Sequence, residues 1–271
     1  MLAFAGNSLL CRFALKQTGI DAASFTSIRI VSGAAALWAI ARLQGRPVRA
    51  AGSWPSALAL FAYAALFSFA YVRLSAATGA LLLFGAVQAT MIGHAVRSGE
   101  RLGLRRATGV ACAFGGLVAL VLPGVTAPPP VSSLLMAGAG VAWGVYSLRG
   151  KGVADPIATT AGNFGYAVPL AMLLSAATVP WAAIDLRGAA CALASGALTS
   201  GIGYAIWYTA LRGLNATSAA AVQLAVPALA ALGGIVLLGE AMSLRLAISS
   251  LAILGGIALV VLERPAVPAS K

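Results

Sequence analysis

Tyrosine and tryptophan side chains interrupt an otherwise apolar stretch at residues 202–227, IGYAIWYTALRGLNATSAAAVQLAVP. Tyr204 precedes Arg212 by eight residues, which places it about 12 Å deeper in the same helix at 1.5 Å per residue. A phenol hydroxyl at that depth needs a hydrogen-bond partner, because burying it unpaired is costly. Either a buried protein group or a wetted cavity meets that need. Trp207 and Tyr208 lie nearer Arg212 and also fit an aromatic belt at a membrane surface.

Trp143 and Tyr146 form a second candidate pair. They are three residues apart and share one face of a predicted helix, and Gly140 and Gly144 allow neighbouring helices to approach that face closely. As cavity walls, the two rings offer apolar surface with a polar edge, and they attract an ammonium group by cation–π interaction. Packing of the rings in a helix interface is the alternative.

Four amide side chains also lie in apolar runs, where each can both donate and accept hydrogen bonds. They are Asn7, Gln88, Asn163 and Gln223. Tyr166 follows Asn163 by three residues and shares its helix face. Contact with a substrate and hydrogen bonding between helices both fit these side chains, since such bonds commonly hold membrane bundles together.

Ionisable side chains are few inside the apolar runs. Arg29 lies about eight residues into one of them, where an unpaired charge costs about 2.5 kcal/mol or more. Three roles fit Arg29: reaching the membrane surface, binding carbonyls at a helix end, or meeting a substrate carboxylate. A structural role is favoured, because no acidic partner lies near it in sequence. Glu100 and Glu240 come just before predicted helices and are expected to cap them, and His94 is expected at the membrane surface.

Pro169 and Pro227 each fall inside a predicted helix, where proline removes one backbone hydrogen bond. Helices broken in this way can line transport sites. They can also be simple kinks that neighbouring polar groups tolerate. Both prolines are therefore candidate hinges.

The sequence lacks the clustered acids, histidines or metal ligands that a membrane enzyme needs. It has one His, six Asp and Glu residues and three Cys, and the cysteines lie far apart in apolar runs, as small packing residues do. We expect no enzymatic activity and neither a metal nor another cofactor. No Asp or Glu lies inside a predicted span, so exchange driven by protonation of a buried carboxylate is not expected.

Composition indicates that membrane-spanning helices position these side chains. Of 271 residues, 61% are apolar and 9% are charged, against roughly 25% charged residues in soluble domains. A water-soluble globule is therefore excluded. Crossing a bilayer takes an apolar run of about 20 residues. Gly, Pro and charged residues divide the chain into ten predicted spans, at 2–17, 22–42, 55–73, 77–97, 103–122, 132–149, 156–179, 188–211, 215–238 and 243–262.

The net charge of +12 comes from basic residues in the short connections between spans. There they act as topology signals, and they do not indicate a nucleic-acid partner. With the amino terminus in the cytoplasm, the cytoplasmic connections and tail hold twelve Lys and Arg residues, and the other side holds five. The positive-inside rule predicts a multi-pass protein of the inner cell membrane with both termini in the cytoplasm.

A repeat divides the ten spans into two halves. Gly-Glu at 99–100 recurs at 239–240, and Gly-Gly at 115–116 recurs at 255–256. Each half, 1–124 and 131–264, then has five spans, and five is odd. The second half must therefore enter the membrane from the opposite side, as in the inverted repeats of secondary transporters that work by alternating access around a central site.

With these features the sequence resembles the ten-helix EamA-type members of the drug/metabolite transporter (DMT) superfamily, and among them the YddG-type amino-acid exporters. The matching segments are SFTSIRIVSG with Arg29, WGVYSLRGK with Trp143, Tyr146 and Arg149, and the repeated SGERL and LGEAM. The resemblance covers nearly the whole chain. One departure is Phe4, where many relatives have Trp, so a symmetric aromatic pair is not expected. Arg12 stands where Lys or Arg is usual.

The resemblance implies a basket-like bundle in which spans 1–4 and 6–9 line a central cavity and spans 5 and 10 lie outside. It also implies export of aromatic and other neutral amino acids or related small metabolites. The expected partners are this substrate and the lipid bilayer, with the protein as a monomer. Alternatives are an exporter of cationic drugs or other metabolites of the superfamily, and a passive pore.

Overall fold

A computed structural model describes residues 1–46, 51–99, 103–124, 127–211, 223 and 225–261. The first half of the chain forms five helices, α1 to α5, at Leu2–Gln17, Ala22–Leu43, Trp54–Tyr71, Ala76–Arg97 and Leu104–Val121.

The second half begins with α6 at Pro130–Arg149 and α7 at Pro156–Thr178, which a 3-10 turn extends over Val179–Trp181. A helical stretch with three parts follows: α8 at Leu186–Ala194, a π segment at Ser195–Ile202 and α9 at Gly203–Leu211. The last two helices are α10 at Ala225–Leu238 and α11 at Leu244–Val261.

Helices are the only regular elements of the described residues, which confirms the all-α membrane fold. Within the described ranges, eight helical segments are long and apolar enough to cross a membrane, and α10 is a shorter apolar helix. α1 has 16 residues, about 24 Å at 1.5 Å per residue. The predicted ninth span, 215–238, is described only at residue 223 and from residue 225 onward.

Several helices begin at polar side chains that accept hydrogen bonds from the first free amides. Asp21 accepts from the amides of Ala23 and Ser24 at the start of α2. Ser75 caps α4 in the same way, and Asp155 caps α7. Because the first amides of a helix have no partner within it, these side chains fix where each helix begins.

Contacts between connections define two faces of the bundle. On the first, here called the α6–α7 face, Arg46 after α2 pairs with Asp155 before α7, with 2.6 Å between Nη1 and Oδ1. On the second, the α1–α2 face, Asp21 and Ala183 exchange hydrogen bonds between the α1–α2 and α7–α8 connections. The end of α2 thus meets the start of α7 and the start of α2 meets the end of α7, so these two helices run antiparallel.

Helices of one half pack mainly against helices of the other half. α2 packs on α7, α3 and α4 pack on α6, and α1 packs on α10 and the π segment. Glycine permits the closest approach: a Cβ added to Gly140 of α6 would lie 2.5 Å from the carbonyl oxygen of Leu83 in α4. Gly144 faces Thr90 in the same interface. The predicted close approach at this face of α6 is confirmed.

Mutual packing separates α5 and α11 from the rest of the bundle. Their most apolar stretches are 17% and 28% buried, against 67% for α4, but α7 is also 17% buried, so burial alone does not mark an edge. α5 and α11 pack chiefly on each other. They therefore stand at the edge of the bundle, as the resemblance implied for the fifth and tenth spans.

The predicted eighth span, 188–211, is not one regular α-helix, because Ser195–Ile202 is π-helical. Such segments are rare and often accompany functional sites. Gly196 in this segment packs directly on the backbone carbonyl of Arg29 in α2, where a Cβ would collide. The sequence did not predict the π turns, because its small residues here are equally compatible with an α-helix.

Candidate functional site

Arg29 is buried in α2, with 2% of its surface exposed. Its Nη2 donates to the hydroxyl of Tyr63 at 2.9 Å, and its Nε donates to the hydroxyl of Ser200 in the π segment at 3.3 Å. The guanidinium carbon lies 5.1 Å from the ring centroids of both Tyr63 and Phe67. Hydroxyls and ring faces thus surround this charge, so Arg29 neither reaches the membrane surface nor binds helix-end carbonyls.

The guanidinium of Arg29 is incompletely satisfied within the described part of the chain. Its Nη1 is buried and has no hydrogen-bond partner there, and neither of the ion pairs found among these residues includes it. A buried charge without an opposite charge is costly, and each unmet donor adds to that cost. The site therefore has unused capacity to bind an anion.

Asn7 of α1 connects this arginine to the π segment. Its Nδ2 donates to the Tyr63 hydroxyl at 3.3 Å, and its Oδ1 accepts from Ser195 at 2.7 Å and from Thr199 at 3.3 Å. The Tyr63 hydroxyl thus accepts hydrogen bonds from both Asn7 and Arg29. One buried network joins α1, α2, α3 and the π segment.

Four aromatic rings form a cluster that contacts Arg29 through Tyr63, here called the central ring cluster: Phe4, Tyr63, Trp143 and Tyr204. The Trp143 centroid lies 4.8 Å from that of Tyr63, 5.2 Å from that of Tyr204 and 6.3 Å from that of Phe4. Tyr204 is 2% exposed. The structure thus brings together two predicted site residues, Trp143 and Tyr204, from different helices.

Phe4 forms an aromatic pair with Trp143 although it is not a tryptophan. The two rings are edge-to-face at 70°, the preferred geometry for aromatic pairs. Trp207 borders the same cluster, with its centroid 5.9 Å from that of Phe4. The side chain of Tyr208 lies outside the described residues. With Phe4 in place of the tryptophan of many relatives, the interior therefore holds a Phe–Trp pair.

Tyr146 and Asn163 meet nearer the α6–α7 face. Asn163 donates from Nδ2 to the Tyr146 hydroxyl at 3.4 Å, and its Oδ1 accepts from the backbone amide of Ser53 at 2.9 Å. The Tyr146 ring lies 5.6 Å from that of Trp143. This pair joins α6, α7 and the start of α3, and it continues from the central ring cluster toward the face.

Three predicted site residues lie apart from these groups. Tyr166 packs on Trp54, which is 55% exposed, with 4.9 Å between ring centroids. Gln88 of α4 is buried, and it belongs to neither the Arg29 network nor the Tyr146–Asn163 pair as described. Gln223 is half-buried, and both its neighbours in sequence lie outside the described residues.

The two candidate hinge prolines differ in position. Pro169 lies inside α7, which continues beyond it to Thr178. Pro227 is buried and is the third residue of α10 as described. Both hinge roles stay predictions.

Glu240 does not cap the helix that follows it in sequence. Its Oε1 accepts from Nε of Arg12 at 2.9 Å, and its Oε2 accepts from the backbone amide of Ala76, at the start of α4, at 2.8 Å. Ser243 caps α11 instead, accepting from the amide of Leu246. The expectation of a local cap was wrong, because a distant helix start and a buried guanidinium together stabilise the carboxylate better.

Two further sequence predictions concern the ends of helices. His94 is exposed in the last turn of α4, as expected for a residue at the membrane surface. Glu100 and Arg212 lie outside the described residues.

The sequence reasoning missed the hydroxyl groups that hold Arg29 and Asn7. Tyr63 and Phe67 stand four residues apart on α3 and face the guanidinium together. Ser195, Thr199 and Ser200 stand on the π segment. The sequence did offer one signal: Tyr63 and Phe67, like Ser195 and Thr199, are four residues apart in apolar sequence, and residues at this spacing share one helix face.

These features together define a class of protein. Helices that can cross a membrane enclose a network of amides and hydroxyls beside aromatic rings, together with the guanidinium of Arg29, which forms no ion pair with the described residues. In the described ranges, no three His, Cys, Asp or Glu residues come together as a metal site. This is a multi-pass membrane protein with a candidate site for a small molecule in its interior.

The comparisons with known proteins give the family. Residues 131–262 match the EamA-like transporter family. The "Uncharacterized protein PA1977" of Pseudomonas aeruginosa is 55% identical over 265 residues, which cover 97% of this chain and 92% of that protein. The chain belongs to one family with that protein, and the EamA-like domain supports a place in the drug/metabolite transporter superfamily. A solved crystal structure shares the fold, with a TM-score of 0.64 and 21% identity over 96% of each chain.

Proposed function

We propose that the protein is a secondary transporter that exports amino acids, aromatic and other neutral ones, or related small metabolites that carry a carboxylate. The buried guanidinium of Arg29 carries this proposal, because it has an unsatisfied Nη1 and no ion pair among the described residues. A substrate carboxylate would supply both the missing acceptor and the missing opposite charge. Arginine suits this task, since its planar fork matches a carboxylate.

The central ring cluster suits the rest of such a substrate. Trp143 and Tyr204 present ring surface to an aliphatic or aromatic side chain. The same ring faces attract the α-ammonium group. Gln88 adds a buried amide that can both donate and accept. Asn163, Tyr146, Tyr166 and Gln223 are proposed as further wall residues.

Alternating access is proposed for the movement. Nη1 of Arg29 is buried, so a ligand reaches it only after the surrounding helices repack. The packing between halves supports the inverted repeat of 1–124 and 131–264, in which α6 is the counterpart of α1. α3 packs on α6 as the π segment packs on α1, and α4 packs on α6 as α10 packs on α1. Such pairs are expected when a twofold axis in the membrane plane exchanges the halves.

The direction of transport rests on the distribution of basic residues. The positive-inside rule puts both termini and the α6–α7 face in the cytoplasm of a cell whose inner membrane holds the protein. Substrate would then enter at the α6–α7 face and leave at the α1–α2 face.

Counterflow in proteoliposomes tests the proposal. Vesicles holding the purified protein are loaded with unlabelled L-phenylalanine or L-leucine, and uptake of the labelled amino acid is followed. The corresponding decarboxylated amines, phenethylamine and isoamylamine, serve as matched competitors. Saturable counterflow that the amino acids inhibit and the amines do not inhibit is the expected result, and Arg29→Gln should reduce it about 10- to 100-fold.

Two other results would overturn the proposal. Equal inhibition by the amines would mean that the carboxylate is not recognised, which favours an exporter of cationic compounds. Flux that does not saturate would indicate a passive pore. Empty vesicles and vesicles with the Arg29→Gln protein control for leak.

A further inference from the structure

A second guanidinium lies at a cavity on the α6–α7 face. The cavity is a pocket with an enclosed volume of about 20 Å³, and it lies between the end of α6, the start of α7 and the start of α3. Hydrogen-bonding side chains line much of it: Ser56, Tyr146, Arg149, Thr159, Thr160 and Asn163. Sites that enclose drug-sized ligands measure about 300–1,000 Å³, so this pocket has room only for a small group such as a carboxylate and does not enclose a whole metabolite.

The charge of Arg149 is not neutralised by any described carboxylate. Its Nε donates to Oγ of Ser56 at 3.0 Å, and this is the hydrogen bond it makes among the described residues. Arg149 is exposed, so the rest of its five N–H donors face water and are accessible to a ligand. Asp155, the acidic residue next to the cavity, is occupied by Arg46 and by the amide of Ala158. The cavity therefore has a net positive charge and hydroxyl walls.

A continuous series of rings connects this cavity to Arg29. Tyr146 lines the cavity, and its ring lies 5.6 Å from that of Trp143. Trp143 in turn lies 4.8 Å from Tyr63, and the Arg29 guanidinium lies 5.1 Å from the Tyr63 ring. Two arginines with spare donors thus stand on opposite sides of the Trp143–Tyr63 ring pair.

We infer that the Arg149 cavity is an entry site that binds the substrate carboxylate before the Trp143–Tyr63 pair opens toward Arg29. This inference rests on the proposed function, because it takes the same carboxylate-bearing substrate. Binding at the α6–α7 face raises the local concentration of substrate beside the closed pathway. The Trp143–Tyr63 ring pair separates the entry site at Arg149 from the site at Arg29. The entry site determines how readily substrate is captured, and Arg29 determines whether it is carried across.

If Arg149 had a purely structural role, substitutions at Arg149 and at its partner Ser56 would have the same effect. In that case its only task is the hydrogen bond to Ser56 that holds α6 against α3. Ser56→Ala removes this bond and leaves the guanidinium in place. Arg149→Gln removes the charge and keeps a side chain that can still donate to Ser56. The two substitutions therefore separate charge from interhelical contact.

Transport kinetics give the first readout. Arg149→Gln is expected to raise the KM for L-phenylalanine about tenfold, the effect of losing one charge-assisted hydrogen bond, with the maximal rate nearly unchanged. Arg42→Gln is the matched control, because it removes an equal charge at the same face from an arginine that stacks on Trp38, 4.5 Å from the ring centroid. An unchanged KM in Arg149→Gln, or a KM rise of the same size in Ser56→Ala, overturns the inference.

Protection of a cysteine gives a second readout that does not depend on transport. Thr159→Cys places a thiol in the cavity wall, in a chain whose native cysteines are replaced by alanine: Cys11, Cys112 and Cys191. L-Phenylalanine should slow maleimide labelling of this thiol, whereas phenethylamine should not. Arg149→Gln should remove the protection.

The variant Arg29→Gln separates the entry site from the transport site. Protection of the Thr159→Cys thiol should persist in this variant even though transport falls. Loss of protection together with transport would mean that the cavity is not a separate site, and the inference then fails while the proposed function stands. If L-phenylalanine protects the thiol but the wild type shows no saturable flux, the binding site at Arg149 stands and the proposed function is overturned.

Discussion

Arg12 and Arg29 are both buried in the first two helices, and the protein holds them in opposite ways. Arg12 is 7% exposed and pairs with Glu240 at 2.9 Å. It also donates to the backbone carbonyls of Tyr71 and Val72 at the end of α3. Arg29 is 2% exposed and has hydroxyl and ring partners, an unmet Nη1 and no described ion pair.

This difference separates a structural charge from one available for function. The carboxylate of Glu240 neutralises Arg12 and also caps α4, so this group is complete without any ligand. Arg29 is desolvated to the same degree but not neutralised. A charge left in that condition is costly to the fold, which is expected where binding a substrate compensates the cost.

The largest effect is expected from breaking the complete pair. Glu240→Gln leaves Arg12 as an uncompensated buried charge, which should lower the free energy of unfolding by about 3–5 kcal/mol. Thermal unfolding in detergent and the yield of monodisperse protein measure this. Adding Arg12→Met to Glu240→Gln removes the stranded charge and should restore part of the stability. Wild-type stability in Glu240→Gln would mean that Arg12 does not depend on its partner.

Arg29→Gln should have the reverse effect: it should lower transport but not stability. Transport of carboxylate substrates is expected to fall about 10- to 100-fold, the effect of losing a charge-assisted hydrogen bond in a buried site. The unfolding temperature should stay the same or rise, because an unpaired charge leaves the interior. Counterflow and thermal unfolding measured on one preparation give both values. An unfolding temperature as low as that of Glu240→Gln would remove the distinction between the two arginines.

Tyr63→Phe tests the partner that Arg29 and Asn7 share. Removing its hydroxyl leaves two buried donors without an acceptor, which should cost about 1–3 kcal/mol in stability and raise the KM through misplacement of Arg29. Tyr71→Phe is the matched control on the same helix, since that hydroxyl donates to the backbone carbonyl of Ala76. Equal KM values for the two variants would contradict a specific role for Tyr63.

The smallest effect is expected at the exposed pair of Arg46 and Asp155. Partial burial alone raises the pKa of Asp155, but hydrogen bonds from the Ala158 amide and from Arg46, with its charge, lower the pKa below the usual 3.8. The carboxylate therefore stabilises the fold above about pH 4, and this contribution disappears as the pH falls through the lowered pKa. Asp155→Asn should cost about 0–1 kcal/mol at neutral pH.

The pH dependence gives that last prediction its control. Unfolding curves of the wild type and Asp155→Asn should converge as the pH falls below the pKa of the carboxyl group, since the wild type then also lacks the charge. A difference that persists in acid would mean that the aspartate acts by shape and not by charge.

The fold was largely predictable from the sequence, because crossing a bilayer demands long apolar runs and internally satisfied backbones. Helix starts such as those at Asp21 and Asp155 were readable from their residue types. The contact of Gly140 with α4 followed from helical spacing. These features depend on local residue patterns and on the length of apolar runs, and both can be read directly from the sequence.

The site was only partly predictable. Trp143 and Tyr204 were expected in a cavity wall, and they meet in the central ring cluster. Tyr63 was missed, because its role comes from helices packed against α3 and not from its own helix. Glu240 was assigned to the wrong helix, since its partners lie far away in sequence. Long-range pairing of this kind depends on tertiary packing that a single sequence does not reveal.

The π segment has a mechanical consequence for the residues after it. Each residue of an α-helix turns the chain by about 100°, so releasing one residue from the wide turns of Ser195–Ile202 would rotate all of α9 by roughly that angle. Tyr204 and Trp207 would then swing away from Phe4, while α8 stayed in place. The π segment therefore sets the direction in which Tyr204 and Trp207 face Phe4.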